Sequence, residues 1–114
     1  MKIYHNPRCS KSRQTLALLE ENGIIPEIIL YLQDKPTKDD IQGILSNLGI
    51  PAEKLIRKGE QIFKDNFKGK TLSEDEWVAA MVEYPKLIER PIVIKGDKAV
   101  LGRPPQNVLD LINH

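Results

Sequence analysis

Two short apolar segments bracket a helical one at the start of the chain, and that order restricts the fold more than any other feature. Residues 2–5 (KIYH) read as a strand ended by Asn6-Pro7. Ser10 is placed to cap a helix running to Asn22, with Gly23 where a left-handed residue is wanted. Residues 27–32 (EIILYL) form an apolar run of strand length. Strand, helix and strand in so short a span predict a right-handed βαβ unit with parallel strands.

Two further helices carry their own start signals. Thr37 caps the first, in which Ile41, Ile44, Leu45 and Leu48 share one face before Gly49. Ser73 and Glu76 make a capping box for the second, Leu72 and Trp77 a hydrophobic staple, and Trp77, Ala80, Met81 and Tyr84 its buried stripe. Residues 52–68 between them are charged and predict short helices. Later, Gly96-Asp97 separates two apolar runs as a two-residue II′ turn, and Pro104-Pro105 opens a last helix with Val108, Leu109 and Ile112. The predicted fold is α/β and thioredoxin-like, with a helical insertion at about residues 37–84 between the βαβ unit and the C-terminal hairpin and helix. At 114 residues the chain is expected to be one domain.

Charge narrows the function. Lys and Arg total 17 and Asp and Glu 16, a net charge of +1, which speaks against nucleic-acid binding by bulk charge but not against a local cationic site. No apolar run reaches the ~20 residues needed to cross a bilayer, and the N-terminus lacks a secretory apolar core, so neither a membrane nor a signal peptide is expected. One cysteine cannot form an internal disulfide, and a reduced, cytoplasmic setting is the simplest expectation.

That cysteine, Cys9, falls at the strand-to-helix junction within YHNPRCSKSRQTLALL. A free thiol has a pKa near 8.5, so only about 3% is thiolate at neutral pH. Unpaired N–H groups at a helix N-terminus favour the anion, as would nearby cations such as Arg8, Arg13 or His5. The same N–H groups would bind an incoming oxyanion. A buried structural thiol is the bland alternative, but Pro7, Arg8, Ser10 and Lys11 are poor neighbours for a core residue. Position 12 is Ser12, so no resolving cysteine lies in a Cys-x-x-Cys pair and any disulfide must form with another molecule. Thr15 stands where a tyrosine-phosphatase loop needs arginine. The only histidines are His5 and His114, which leaves no metal-binding pattern.

Only five arginines accompany twelve lysines, and Arg57, Arg90 and Arg103 lie far from Cys9 in sequence. Arg90 and Arg103 each precede proline and bracket the predicted hairpin. Arginine presents a planar fork of donors suited to tetrahedral oxyanions, although a solvated surface charge is the ordinary alternative for each.

YHNPRCSKSRQTL, ILYL at 29–32, LIRKGE at 55–60, ERPIVI at 89–94 and LGRPP at 101–105 together resemble the glutaredoxin-linked arsenate reductase family, in the subgroup carrying Asn-Pro-Arg-Cys-Ser-Lys-Ser. The resemblance spans essentially the whole chain. It implies Cys9 as the nucleophile toward arsenate, and Arg57, Arg90 and Arg103 as holders of the oxyanion and its thiol adducts. Ser12 and Arg13 would belong to the anion loop, with His5 and Arg8 tuning the cysteine and Arg90–Pro91 as the cis peptide beside it. The residues alone leave His5 open between tuning and a strand-end hydrogen bond, and Ser12 between anion binding and the first helical turn. The implied chemistry uses no bound cofactor, with glutathione as co-substrate and glutaredoxin as partner.

Two other functions remain open at this level. A regulator of the Spx type shares the fold and binds RNA polymerase, but it commonly carries a Cys-x-x-Cys switch. A thiol oxidoreductase acting on glutathione mixed disulfides would need Cys9 without the arginines.

Overall fold

In a computed structural model that describes residues 1–113, the chain separates into two units, one of residues 1–34 with the segment from Arg90 onward, the other Lys35–Glu89. His114 lies outside the described residues. The first unit opens with β1 (Lys2–Tyr4), α1 (Ser10–Glu21) and β2 (Glu27–Ile29), and closes with β3 (Ile92–Lys95), β4 (Lys98–Leu101) and α5 (Asn107–Ile112). Its sheet has the order β2-β1-β3-β4, with β1 parallel to β2 and antiparallel to β3. This is the α/β thioredoxin-like arrangement expected.

Register explains the core. Ile3 lies opposite Val93, so both point to one face of the sheet, where Leu19 of α1 and Val108 and Leu111 of α5 close over them. The same register sets Tyr4 against Ile92, and Ile92 against Leu101. The end of β1, the start of β3 and the end of β4 therefore lie together, and the loops at that end carry Cys9, Arg90 and Arg103.

Three expectations need correction. Ser10 is the first residue of α1, not its cap. Cys9 is the N-cap, with extended angles (φ −94, ψ 123), because the Asn6–Cys9 turn, closed by a 3.0 Å Cys9 N–H bond to the Asn6 carbonyl, ends one residue later than the serine suggests. The second strand ends at Ile29, since Leu30 accepts hydrogen bonds from the N–H groups of Gln33 and Asp34 and the chain turns. β2 is an edge strand, which leaves Ile28 48% exposed. The last helix begins at Asn107, after a turn through Pro104 and Pro105 whose Arg103–Pro104 bond is cis.

The hairpin turn follows the predicted type, with positive φ at Gly96 and, among the described residues, at no non-glycine residue. Gly23 also adopts positive φ (77°) past the end of α1.

The second unit contains α2 (Lys38–Leu48), a 3₁₀ turn at Ala52–Leu55, α3 (Gln61–Asn66), α4 (Glu74–Glu83) and a 3₁₀ turn at Pro85–Leu87. Capping boxes form at both predicted starts, Thr37 with Asp40 and Ser73 with Glu76. The hydrogen bonds from the Ser73 backbone and hydroxyl hold the Glu76 carboxyl below the usual carboxylate range. Trp77 stacks on Phe63 at 6.2 Å, and Phe67 meets Tyr84 edge-on at 6.0 Å. The Glu74 carboxylate accepts from the Ala52 N–H at 2.9 and 3.1 Å, tying α4 to the first 3₁₀ turn. Replacing Ser73 by alanine should cost about 1 kcal/mol, the usual worth of an N-cap, read as a lower urea midpoint at constant slope. Among the described residues, no helix is long and apolar enough to cross a membrane.

Candidate functional site

Cys9 caps α1, so the N–H groups of the first helical turn surround its sulfur. Burial of the half-buried thiol pushes its pKa up. The Ser12 N–H, the Arg90 guanidinium (by hydrogen bonding and by charge) and the Lys11 N–H together outweigh it, and the pKa lies below the ordinary thiol value. The Cys9 side chain makes no conventional cap hydrogen bond. The N–H groups thus act on the thiolate, through the positive end of the helix.

The cation that bears on Cys9 is Arg90, brought from the far end of the chain by the pairing of β1 with β3. Arg13 instead donates from Nη1 to the Pro7 carbonyl at 2.9 Å, which braces the loop. Arg8 has an exposed side chain, and its N–H donates to the Asn6 Oδ1 at 3.0 Å. Arg103 donates from Nη1 to the Arg90 carbonyl at 3.3 Å. The Arg90–Pro91 bond is cis. Arg57 belongs to the second unit, where it pairs with Glu60 at 3.2 Å and Glu89 at 3.6 Å.

His5 does not supply a positive charge. Burial, with the charge of Arg13 second, holds its pKa below the ordinary histidine value, so the ring is neutral at pH 7. Its Nδ1 lies 2.6 Å from the Ser12 Oγ, which also accepts from the Asn6 N–H at 3.0 Å. Ser12 is fully buried. Histidine and serine thus tie the strand end to the helix turn whose N–H groups face Cys9. A depressed histidine pKa gives stability that is present above the unfolded value of about 6.5 and is lost as pH falls through that value toward the folded one. We expect the urea midpoint to fall as pH drops from about 7 to 5, and less steeply in His5→Gln, which cannot take up a proton.

Thr15 and Gly102 are parts of the site that sequence reasoning missed. The buried Thr15 hydroxyl is within hydrogen-bonding distance of the Lys11 carbonyl at 2.8 Å and the Gly102 carbonyl at 3.2 Å. The Gly102 N–H donates to the Pro91 carbonyl at 2.9 Å. Helix α1, the cis-proline loop and the loop bearing Arg103 therefore meet at one glycine. A Cβ there would lie 2.6 Å from the Thr15 Oγ1 and 2.7 Å from the Pro91 Cγ, closer than packed atoms come. Gly102→Ala should cost about 1–3 kcal/mol, read as a lower Tm. The only sequence signal for it is a glycine set between a strand and Arg-Pro. Among the described residues no cluster of three or more His, Cys, Asp or Glu side chains is arranged to hold a metal ion.

The fold is of the thioredoxin-like α/β class, with its lone thiol at the N-terminus of the first helix. The sequence pattern of the ArsC family matches residues 4–111, and the chain belongs to that family. It is 49% identical to an arsenate reductase of Haemophilus influenzae over 112 residues, which covers 96% of this chain and 97% of the relative. It is 48% identical to an uncharacterised protein of Escherichia coli K12, with 98% and 96% covered. Among solved structures, an arsenate reductase from Vibrio cholerae superimposes with a TM-score of 0.91 at 47% identity, over 96% of this chain and 94% of that one.

Proposed function

We propose that this protein reduces arsenate to arsenite through Cys9, with glutathione as co-substrate and glutaredoxin as the partner that completes the reduction. The observation that carries the reading is the Cys9 sulfur, its charge favoured by the Ser12 and Lys11 N–H groups and the Arg90 guanidinium. Membership of the ArsC family, and relatives that bear the name arsenate reductase, support it. Anion-binding N–H groups and an arginine fork suit a tetrahedral oxyanion.

The Cys9 thiolate attacks arsenic(V), forming an As–S bond while an oxygen leaves as water. Arg90 and Arg103, with the Ser12 and Lys11 N–H groups of the loop, hold the oxyanion and neutralise its charge. A glutathione thiol then condenses on arsenic and releases a second water. Attack of a glutaredoxin thiolate on the glutathione sulfur forms a disulfide and leaves the As–S electron pair on arsenic, which becomes arsenic(III). Hydrolysis consumes one water and frees Cys9. Over the cycle, one arsenic acid and two thiols give one arsenious acid, one disulfide and one water. A lone thiol that must stay reduced fits a reducing, cytoplasmic compartment.

Arsenate-dependent NADPH oxidation in the presence of glutathione, glutaredoxin and glutathione reductase, with arsenite identified as product, tests the reading. Rates no higher than those without enzyme would sink it. Reduction of glutathionylated peptides without arsenate turnover would move the protein to the mixed-disulfide oxidoreductases.

A further inference from the structure

The parallel strands β1 and β2 part company at the end that bears Cys9. The His5 N–H donates to the Ile29 carbonyl at 2.9 Å, and beyond this pair the two chains turn in different directions. Residues 6–9 form the turn into α1, while residues 30–34 close on the Leu30 carbonyl, which accepts from Gln33 and Asp34 at 2.9 and 2.8 Å. Their divergence leaves a cleft of about 290 Å³, lined by residues 5–8 on one side and by Leu30, Leu32 and Gln33 on the other.

Strand order places this cleft relative to the chemistry. β1 lies between β2 and β3, so the Cys9 loop is flanked by the cleft on the β2 side and by the Arg90 loop on the β3 side. The arginine side is suited to the oxyanion. The cleft begins one residue from Cys9, at Arg8, and has a different character. Leu30 and Leu32 give it an aliphatic wall, Arg8 an exposed cation, and among the described residues none that lines it carries a carboxylate. Its volume is close to the ~300 Å³ lower bound for small-ligand sites.

We propose that this cleft seats glutathione for its attack on the Cys9 adduct, an assignment that rests on the arsenate reading above. A protein with one cysteine must draw its resolving thiol from outside, and that thiol must approach without displacing the oxyanion. Glutathione carries two carboxylates and one ammonium, a net negative charge that complements Arg8. Its aliphatic stretch packs on Leu30 and Leu32. Bound there, its sulfur condenses on the arsenic held by Cys9, forming an As–S bond and releasing water with no change in oxidation state.

The test uses the full chain in two arms. In the first, S-methylglutathione, which binds without reacting, is titrated into isotope-labelled protein and the amide resonances are followed. Shifts concentrated at residues 5–8 and 30–33 support the site, whereas shifts elsewhere, or none at millimolar ligand, overturn it. In the second, KM for glutathione and for arsenate is measured in Arg8→Glu and in Gln33→Glu. Charge reversal at Arg8 should raise KM for glutathione about tenfold or more, with a smaller rise for Gln33→Glu and KM for arsenate close to wild type. Unchanged KM for glutathione in both variants, or equal rises for both substrates, overturns the assignment. Cleft-localised binding in a wild-type protein that fails to reduce arsenate would sink the arsenate reading and leave the thiol site standing.

Discussion

In the Cys9→Ser protein, arsenate-dependent NADPH oxidation should fall to background, at least about 10³-fold below wild type. Serine keeps the position at the N-terminus of α1 and the surrounding N–H groups, so the proposed oxyanion site should survive the change. What disappears is chemistry. A hydroxyl is not ionised at neutral pH, and its oxygen cannot form the As–S bond from which a second thiol releases arsenic(III). Competition between arsenate and sulfate, followed by calorimetry, checks that binding persists in the variant. Activity retained above a tenth of wild type would remove Cys9 from the mechanism.

Arg90→Ala should have the next largest effect, a loss of about 10²–10³ in kcat/KM for arsenate, the usual cost of deleting one preorganised group that faces a developing oxyanion. It acts twice. In the proposed mechanism the guanidinium binds the oxyanion, and by hydrogen bonding and charge it lowers the Cys9 pKa. Its removal leaves burial opposed only by the Ser12 and Lys11 N–H groups, so the thiol pKa rises. The rate of alkylation by iodoacetamide, which follows the thiolate fraction, should therefore shift to higher pH in Arg90→Ala. At pH values above both pKa values the two proteins should alkylate at similar rates. Arg90→Lys should restore part of the pKa shift but little of the activity, because an ammonium keeps the charge without the planar fork. An unshifted alkylation profile in Arg90→Ala would take Arg90 out of contact with the thiolate.

Much of the fold was legible because its signals act over three or four residues. The Thr37–Asp40 and Ser73–Glu76 boxes, Gly49 at φ 69° and the Gly96 turn formed where the residues pointed. Each bonds or bends within its own segment, and no distant contact has to agree. Errors came where a neighbour decides. The apolar run EIILYL suggested a long strand, yet β2 is an edge strand whose last residues find better hydrogen bonds in a turn. Ser10 suggested a cap, but the preceding turn carries the chain one residue too far for its hydroxyl to serve.

For the candidate site, local sequence was enough to place Cys9 at the start of a helix after a strand, because strand length, the Asn6-Pro7 stop and helical periodicity are all encoded nearby. The same residues made Arg8, Arg13 and His5 look like its cations. Only the tertiary structure decided otherwise. Burial keeps His5 neutral, Arg13 is committed to the Pro7 carbonyl, and antiparallel pairing of β3 with β1 delivers Arg90 from the far end of the chain. Thr15 reaches Gly102 across 87 residues of sequence, a contact that no local pattern announces. Local sequence encodes backbone conformation, whose energy is settled among near neighbours. Which charge meets which sulfur depends on strand register and burial, and those exist only once distant segments have packed.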